Sequence, residues 1–352
     1  MENKLWSDIQ AQGDNLLHVV QHLYSTERAR LEAAASFLHN DRPIALVGVA
    51  SAEYLCMPAA VYLGQHGRYA STLCASDALY SHMPALRGAN VVINSRSGET
   101  AEVVKLAQAL VEAAIPFVLI TNEPESTVAR MAAHVVWADT RKDELVSINV
   151  VTGMMTATLA LAAAVVGELD ALRPGFEALA GAMGDTVRRA TEQADAIYRL
   201  FEGIRPVYLL FRGYGRGAAY CGRLVLEEVS RSPSIAMEAA EFRQGPNEVI
   251  DEQFGAVLFV PEGKQGDLNR SLAADIVRSG GRVLLVGDGE AAGQGLLPFP
   301  IAAIPDCLRP VLQVVPVQVL AFERAKSHGY EPGEVRYISK IILTEEGIPN
   351  QV

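Results

Sequence analysis

Short apolar runs alternate along the chain with longer segments in which apolar residues recur every three or four positions. The runs "IALVGVA" (44–50), "ANVVINS" (89–95), "PFVLIT" (116–121) and "HVVWAD" (134–139) predict strands buried on both faces. Between them, "AEYLCMPAAVYLGQH" and "AEVVKLAQALVEAA" have helical spacing. Alternation of this kind predicts a parallel sheet covered by helices, the α/β class.

The second half repeats the order with "PVYLLFRGYG" (206–215), "AVLFVPEGK" (256–264), "GRVLLVGD" (281–288) and "PIAAIPD" (300–306). Gly48, Gly98 and Val118 return as Gly213, Gly263 and Val283, each 165 positions later, so the chain reads as a duplicated domain. The 352 residues divide into an N-terminal helical segment (1–40), a first domain (41–170), a second domain (185–329) and a tail (330–352). A polar stretch interrupted by Pro and Gly, 168–185, joins the domains, and the tail carries apolar residues worth burying. From Ile148 to Gly167 no residue is charged, which is about the length of a membrane span. That segment is made largely of Ala, Thr, Gly and Val and lacks aromatic anchors, so it predicts a buried central helix instead.

The net charge of -11 argues against a nucleic-acid backbone or an anionic membrane as partner. Four cysteines, far apart and without a CxxC pair, read as reduced packing residues of a cytoplasmic protein. The N-terminus "MENKLWSDIQ" lacks the apolar core of a signal peptide. Histidines are scattered; His18 and His22 share helical spacing without a third ligand and read as a solvated face, so no metal is expected. The run "RGYGRG" lacks full GxGxxG spacing and the acidic residue that a dinucleotide site needs, and no cofactor is expected.

Candidate chemistry falls where strands give way to helices. In "NSRSGETAEVV", Ser95, Ser97 and Thr100 surround Gly98 just before a helical pattern, and Ser51 follows an earlier strand. Hydroxyls and amides at a helix N-terminus suit an anion such as phosphate, although each serine alone is also an ordinary helix cap. Further on, five carboxylates, Glu227, Glu228, Glu238, Glu241 and Glu248, crowd a short stretch. The adjacent glutamates at the end of a helix that follows the glycine loop could include a general base, and position at the mouth of the second-copy loop favours Glu228 and Glu241.

These residues together resemble the SIS (sugar isomerase) domain family, as a tandem of two such domains. The pattern is most similar to the isomerase half of glucosamine-fructose-6-phosphate aminotransferase and to stand-alone sugar-phosphate deaminases and deglycases. "SRSGETAEV" resembles the family's Ser-x-Ser-Gly-Glu-Thr signature, "WSDIQAQGDNL" its N-terminal segment, and "EFRQGPNEVID" its Glu-x-x-His-Gly-Pro segment. The resemblance implies that Ser51, Ser95, Ser97 and Thr100 hold a sugar phosphate with help from the amides of Arg96 to Gly98. It implies that Val146 and Ser147 line the sugar, that Glu228 shuttles a proton between the first two carbons, and that Lys340 in the tail is the imine-forming or substrate-closing cation.

One departure stands out. Gln244 replaces the histidine that the family associates with ring opening, and a carboxamide is no acid or base near neutral pH. The expectation is therefore an aldose-ketose isomerase, deaminase or deglycase of phosphosugars, without a glutaminase domain and working as a homodimer with a shared site. The alternative is a non-catalytic sugar-phosphate sensor that lost ring opening at Gln244.

Overall fold

The computed structural model describes residues 3–144, 146–287 and 293–347. The chain separates into two compact units, one of Asp14–Glu177 with Val335–Val352, the other of Met1–Gly13 with Ala178–Glu334. The N-terminal helical segment is thereby divided: helix Lys4–Gln10 goes with the second unit, and helix Arg28–Leu38 with the first.

The first unit holds a parallel sheet of β1 (Ile44–Gly48), β2 (Ala70–Cys74), β3 (Asn90–Asn94), β4 (Phe117–Thr121) and β5 (His134–Trp137), in the order β2-β1-β3-β4-β5. β1, β3 and β4 are buried along their whole length, which is why they read as unbroken apolar runs. Val47, Ile93, Phe117 and Leu119 pack in one core with Val103, Leu106 and Leu110, the apolar face of helix Ala101–Glu112. The uncharged segment forms helix Asn149–Val165, buried nearly all round, and no helix among the described residues is long and apolar enough to cross a membrane. Its hydroxyls are satisfied internally. Thr156 donates to the Thr152 carbonyl at 2.8 Å, and Thr158 to the Met154 carbonyl at 2.7 Å and to Asn94 Oδ1 at 3.1 Å.

The second unit repeats this plan with β6 (Val207–Phe211), β7 (Ser234–Glu238), β8 (Gly255–Phe259), β9 (Arg282–Gly287) and β10 (Leu296–Pro300), in the order β10-β9-β8-β6-β7. Gly98 and Gly263 both take φ near +60°, at 60° and 65°, so the repeat holds at this turn. The expected pairing of Gly48 with Gly213 does not hold, because the residue matching Gly213 (φ 51°) in conformation is Ala50 (φ 50°). The register is the same in both sheets, Ile44 facing Asn90 and Val207 facing Gly255, but the second copy has two more residues between these strands, so the offset is 163 at β1 and β6 and 165 from β3 and β8 onward.

Three further expectations are corrected. The edge strands β2 and β7 carry no apolar run, and their half-exposed residues leave no two-faced burial pattern to detect. The strand expected at 300–306 lies at Leu296–Pro300, a sheet edge where Pro298 and Pro300 are tolerated. The joining stretch, read as polar and interrupted by Pro and Gly, is helical inside Leu169–Glu192, with Pro174 at the sixth position, where its missing amide leaves the Asp170 carbonyl without its intrahelical donor.

Candidate functional site

In the first sheet the chain order reverses between β1 and β3, the switch point where open α/β sheets bind ligands at the carboxyl ends of strands. Ser51 begins helix Ser51–Tyr54 after β1, and Ser95 to Thr100 connect β3 to helix Ala101–Glu112. The second loop is tightly tied. Ser95 N donates to the Ile120 carbonyl at 3.1 Å, and the Arg96 carbonyl accepts from Asn122 N at 3.1 Å and from the Thr121 hydroxyl at 3.2 Å. The buried Ser95 and Ser97 hydroxyls accept from Gly98 N at 3.1 Å and Glu99 N at 3.2 Å. Each hydroxyl therefore keeps its own proton to donate to an incoming oxygen. Thr100 occupies the N-cap without a side-chain capping bond.

Beside this loop lies a cavity of about 360 Å³ over the ends of β3, β4 and β5, lined among others by Arg96, Ser97, Asn122, Lys142, Asp143 and Lys340. Ser51, Ser95, Thr100, Val146 and Ser147 do not line it. Burial pulls the Arg96 guanidinium below its ordinary pKa, and the nearby Asp143 and Glu123 oppose the shift. Arg96 also donates to the backbone carbonyl of Lys340, so the tail lysine and the signature arginine meet at one wall. Lys142 pairs with Glu123 at 2.6 Å on the exposed rim, a contact of little energetic weight.

Val146 is buried and Ser147 half-buried, in the turn that enters helix Asn149–Val165. What fixes that turn is Asp143. Its carboxylate accepts from Ile148 N (2.9 Å), Asn149 N (3.0 Å), Val150 N (3.0 Å) and Asn149 Nδ2 (2.8 Å). Burial pushes its carboxyl up from the ordinary range, and these donated bonds oppose that. Replacing Asp143 by Asn turns one of these acceptors into a donor facing N–H groups, and is expected to lower the unfolding free energy in urea by about 2 to 4 kcal/mol.

Sequence reasoning missed Asp143, and also Asn122 and Asn15. Asn122 exchanges bonds with Thr140 (Nδ2 to O 2.9 Å, N to Oδ1 2.7 Å), and Asn15 Oδ1 accepts from Arg141 N at 2.7 Å. The only local sign was Thr-Asn at the carboxyl end of β4. His22 corrects the reading of a solvated pair. It is buried with Nε2 3.0 Å from the Trp137 carbonyl, while exposed His18 contacts Asp139 at 2.8 Å. Among the described residues no cluster of ligands could hold a metal ion.

In the second unit Glu228 lies in the last turn of helix Gly215–Ser230. This is the expected end of the helix that follows the glycine loop, about 20 Å along it from Gly215, so Glu228 is not at the mouth of the loop from which that helix starts. Burial, reinforced by Glu227, pushes its carboxyl up to about 7. Glu241 is exposed in the short helix Ala239–Phe242, and exposed Gln244 follows it, with its amide donating to the Glu241 carbonyl at 2.9 Å. The glycine run has a packing role. A Cβ on Gly215 would stand 3.0 Å from that of Phe259, and one on Gly222 would stand 2.9 Å from Leu209, so these glycines let the helix approach the sheet.

Residues 37–164 match the model of the SIS domain. The chain is similar to the glutamine-fructose-6-phosphate aminotransferase (isomerizing) of Gluconobacter oxydans, 28% identical over 310 residues, covering 81% of this chain and 50% of that protein. It spans about half the length of the curated relatives it matches. In fold it is similar to the C-terminal domain of glucosamine-fructose-6-phosphate aminotransferase from Francisella tularensis, with TM-score 0.79 and 19% identity, covering 94% and 97% of the two chains. It is likewise similar to glucosamine-6-phosphate deaminase from Thermotoga maritima, with TM-score 0.73 and 19% identity, covering 96% and 99%.

Proposed function

We propose, for a chain whose residues 37–164 match the SIS domain, that it is an isomerase, deaminase or deglycase of 6-phosphorylated sugars or amino sugars. Glu228 carries this reading. A carboxylate with a pKa of about 7 is half ionised near neutrality, so it can take a proton from one carbon and return it to the next with little driving force lost either way. The C–H electron pair moves into an enediol, or an enolamine where nitrogen is attached, and the proton comes back at the neighbouring carbon. Lys340 serves as the cation or the imine-forming amine on an open-chain ketose. Ser51, Ser95, Ser97 and Thr100 hold the phosphate, the amides of Arg96 to Gly98 assist, and Val146 and Ser147 line the sugar. The protein acts as a cytoplasmic homodimer, which light scattering tests.

A second reading is favoured by Gln244 alone: a sensor that binds the sugar phosphate without chemistry. The experiment that separates the two presents 6-phosphosugars and fructosamine phosphates in deuterated water and follows the carbon-2 proton by NMR. Exchange on at least one of them is expected. Phosphate-dependent binding without exchange on any would establish the sensor. If ring opening limits the rate, Gln244→His is expected to accelerate exchange on cyclic sugars and to leave pre-opened ketoses unaffected.

A further inference from the structure

From Val335 to Gly347 the tail has no helix or strand of its own. Ordering such a backbone costs about 1 to 2 kcal/mol per residue, so a side chain on it is held in one place only if the chain is fastened nearby. Apolar burial does little of this. Leu343 is 71% exposed and Tyr337 44% exposed, despite the apolar pattern of the segment.

The fastenings are polar and follow one another along the helix that leaves the signature loop. Arg96 donates to the carbonyl of Lys340. Ala101 N donates to the carbonyl of Ile342 at 3.0 Å. Ala101 is the first residue of its helix, so this amide has no acceptor within the helix, and the tail supplies one. One turn on, Lys105 reaches the carboxylate of Glu345, which also accepts from the Tyr80 hydroxyl at 2.8 Å. Ala101 and Lys105 stand four residues apart and share a helix face, so both fastenings lie along one line. Glu345 is only 18% exposed in its side chain, and its two partners hold its carboxyl below the ordinary range.

We propose that Glu345, gripped by Lys105 and Tyr80, is a clasp that fixes Lys340 against the cavity beside the signature loop, and that Glu345 is therefore a positioning residue for Lys340. The chemistry of Lys340 rests on the functional reading above; the clasp itself does not. An exposed ion pair alone contributes little. Here it works with a phenol and two backbone bonds, and losing it frees the segment that carries the lysine.

The test compares wild type, Glu345→Ala and the charge-swapped Lys105→Glu/Glu345→Lys protein by three measurements. These are hydrogen exchange at the Ala101 amide, the rate at which acetic anhydride modifies Lys340 relative to other lysines, and turnover on any sugar phosphate that shows exchange. Glu345→Ala is expected to speed Ala101 exchange about tenfold or more and to change the Lys340 modification rate. It is also expected to lower kcat about tenfold or more with KM nearly unchanged. The swapped pair is expected to recover most of each effect, which a merely destabilised protein does not do. Unchanged exchange at Ala101 in Glu345→Ala overturns the clasp. Faster exchange with unaltered Lys340 reactivity overturns the positioning role. If no sugar phosphate reacts with the wild type, the functional reading fails, and the first two measurements still decide the clasp.

Discussion

Replacing Glu228 by glutamine is expected to abolish exchange of the carbon-2 proton and, at the same time, to stabilise the fold above neutral pH. Loss of a positioned general base lowers a rate by about 10² to 10⁴-fold. The stability effect has a definite sign. The Glu228 carboxyl is raised from an ordinary 4.5 to about 7 by burial and by Glu227. Below pH 4.5 both folded and unfolded chains hold the proton, and the residue contributes nothing. Between 4.5 and 7 the unfolded chain gives it up first, so wild-type stability falls as pH rises, and above 7 the whole penalty is present. A shift of that size sets an upper bound of about 3 kcal/mol, and partial exposure reduces it to about 1 to 2. Glutamine has no charge to bury. Urea unfolding is expected to show the variant more stable than wild type at pH 8 and equal to it at pH 4. A variant less stable at pH 8 would mean that a cation compensates the carboxylate, which removes the argument for a base poised at neutrality.

A gain in stability paired with a loss of activity in Glu228→Gln would mark the group as functional. A half-buried carboxylate beside another carboxylate is unfavourable for the fold, so its presence calls for a use. Gln244 adds nothing of this kind, since it is exposed and does not titrate.

Much of the fold was legible because burial on both faces writes itself into sequence. β1, β3, β4, β6, β8 and β9 lie inside or across the apolar runs that predict them, and the uncharged segment is the buried helix it reads as. Of the edge strands, β5 was legible from "HVVWAD", but the others were not: half-exposed "ASTLC" and "SIAME" have no run, and the prolines of "LLPFP" argue against a strand everywhere except an edge. At the site, the signature loop stood out because its hydroxyls and glycine are contiguous. Asp143, Asn122 and Asn15 did not, because their meaning lies in bonds to distant backbone, as between Asn15 and Arg141, and one asparagine in a sequence does not announce its partner. Glu345 was hidden for the same reason, its partners Tyr80 and Lys105 being hundreds of residues away.

Gly98→Ala and Gly263→Ala use the repeat as an internal control. Both glycines take left-handed φ, at 60° and 65°, immediately after corresponding strands. Any other residue there costs about 1 to 2 kcal/mol of backbone strain, so both variants lose this much. Only the first meets an obstacle. A Cβ on Gly98 would lie 2.0 Å from Ser126 Oγ and 2.6 Å from Ser126 Cβ, while one on Gly263 has nothing within 4 Å. Ser126 is buried and lines the cavity, so accommodating alanine displaces the β4 loop along with the turn. Overpacking adds about 1 to 3 kcal/mol, and Gly98→Ala is therefore expected to be the less stable of the two by that amount in urea. The same displacement takes the Ser95 and Ser97 hydroxyls out of register with the amides they accept from, so binding of a 6-phosphosugar, read by calorimetry, is expected to fall about tenfold or more in Gly98→Ala. Gly263→Ala is expected to bind as wild type. Equal weakening in both variants would mean that phosphate affinity follows overall stability and that the first-copy loop is not its anchor.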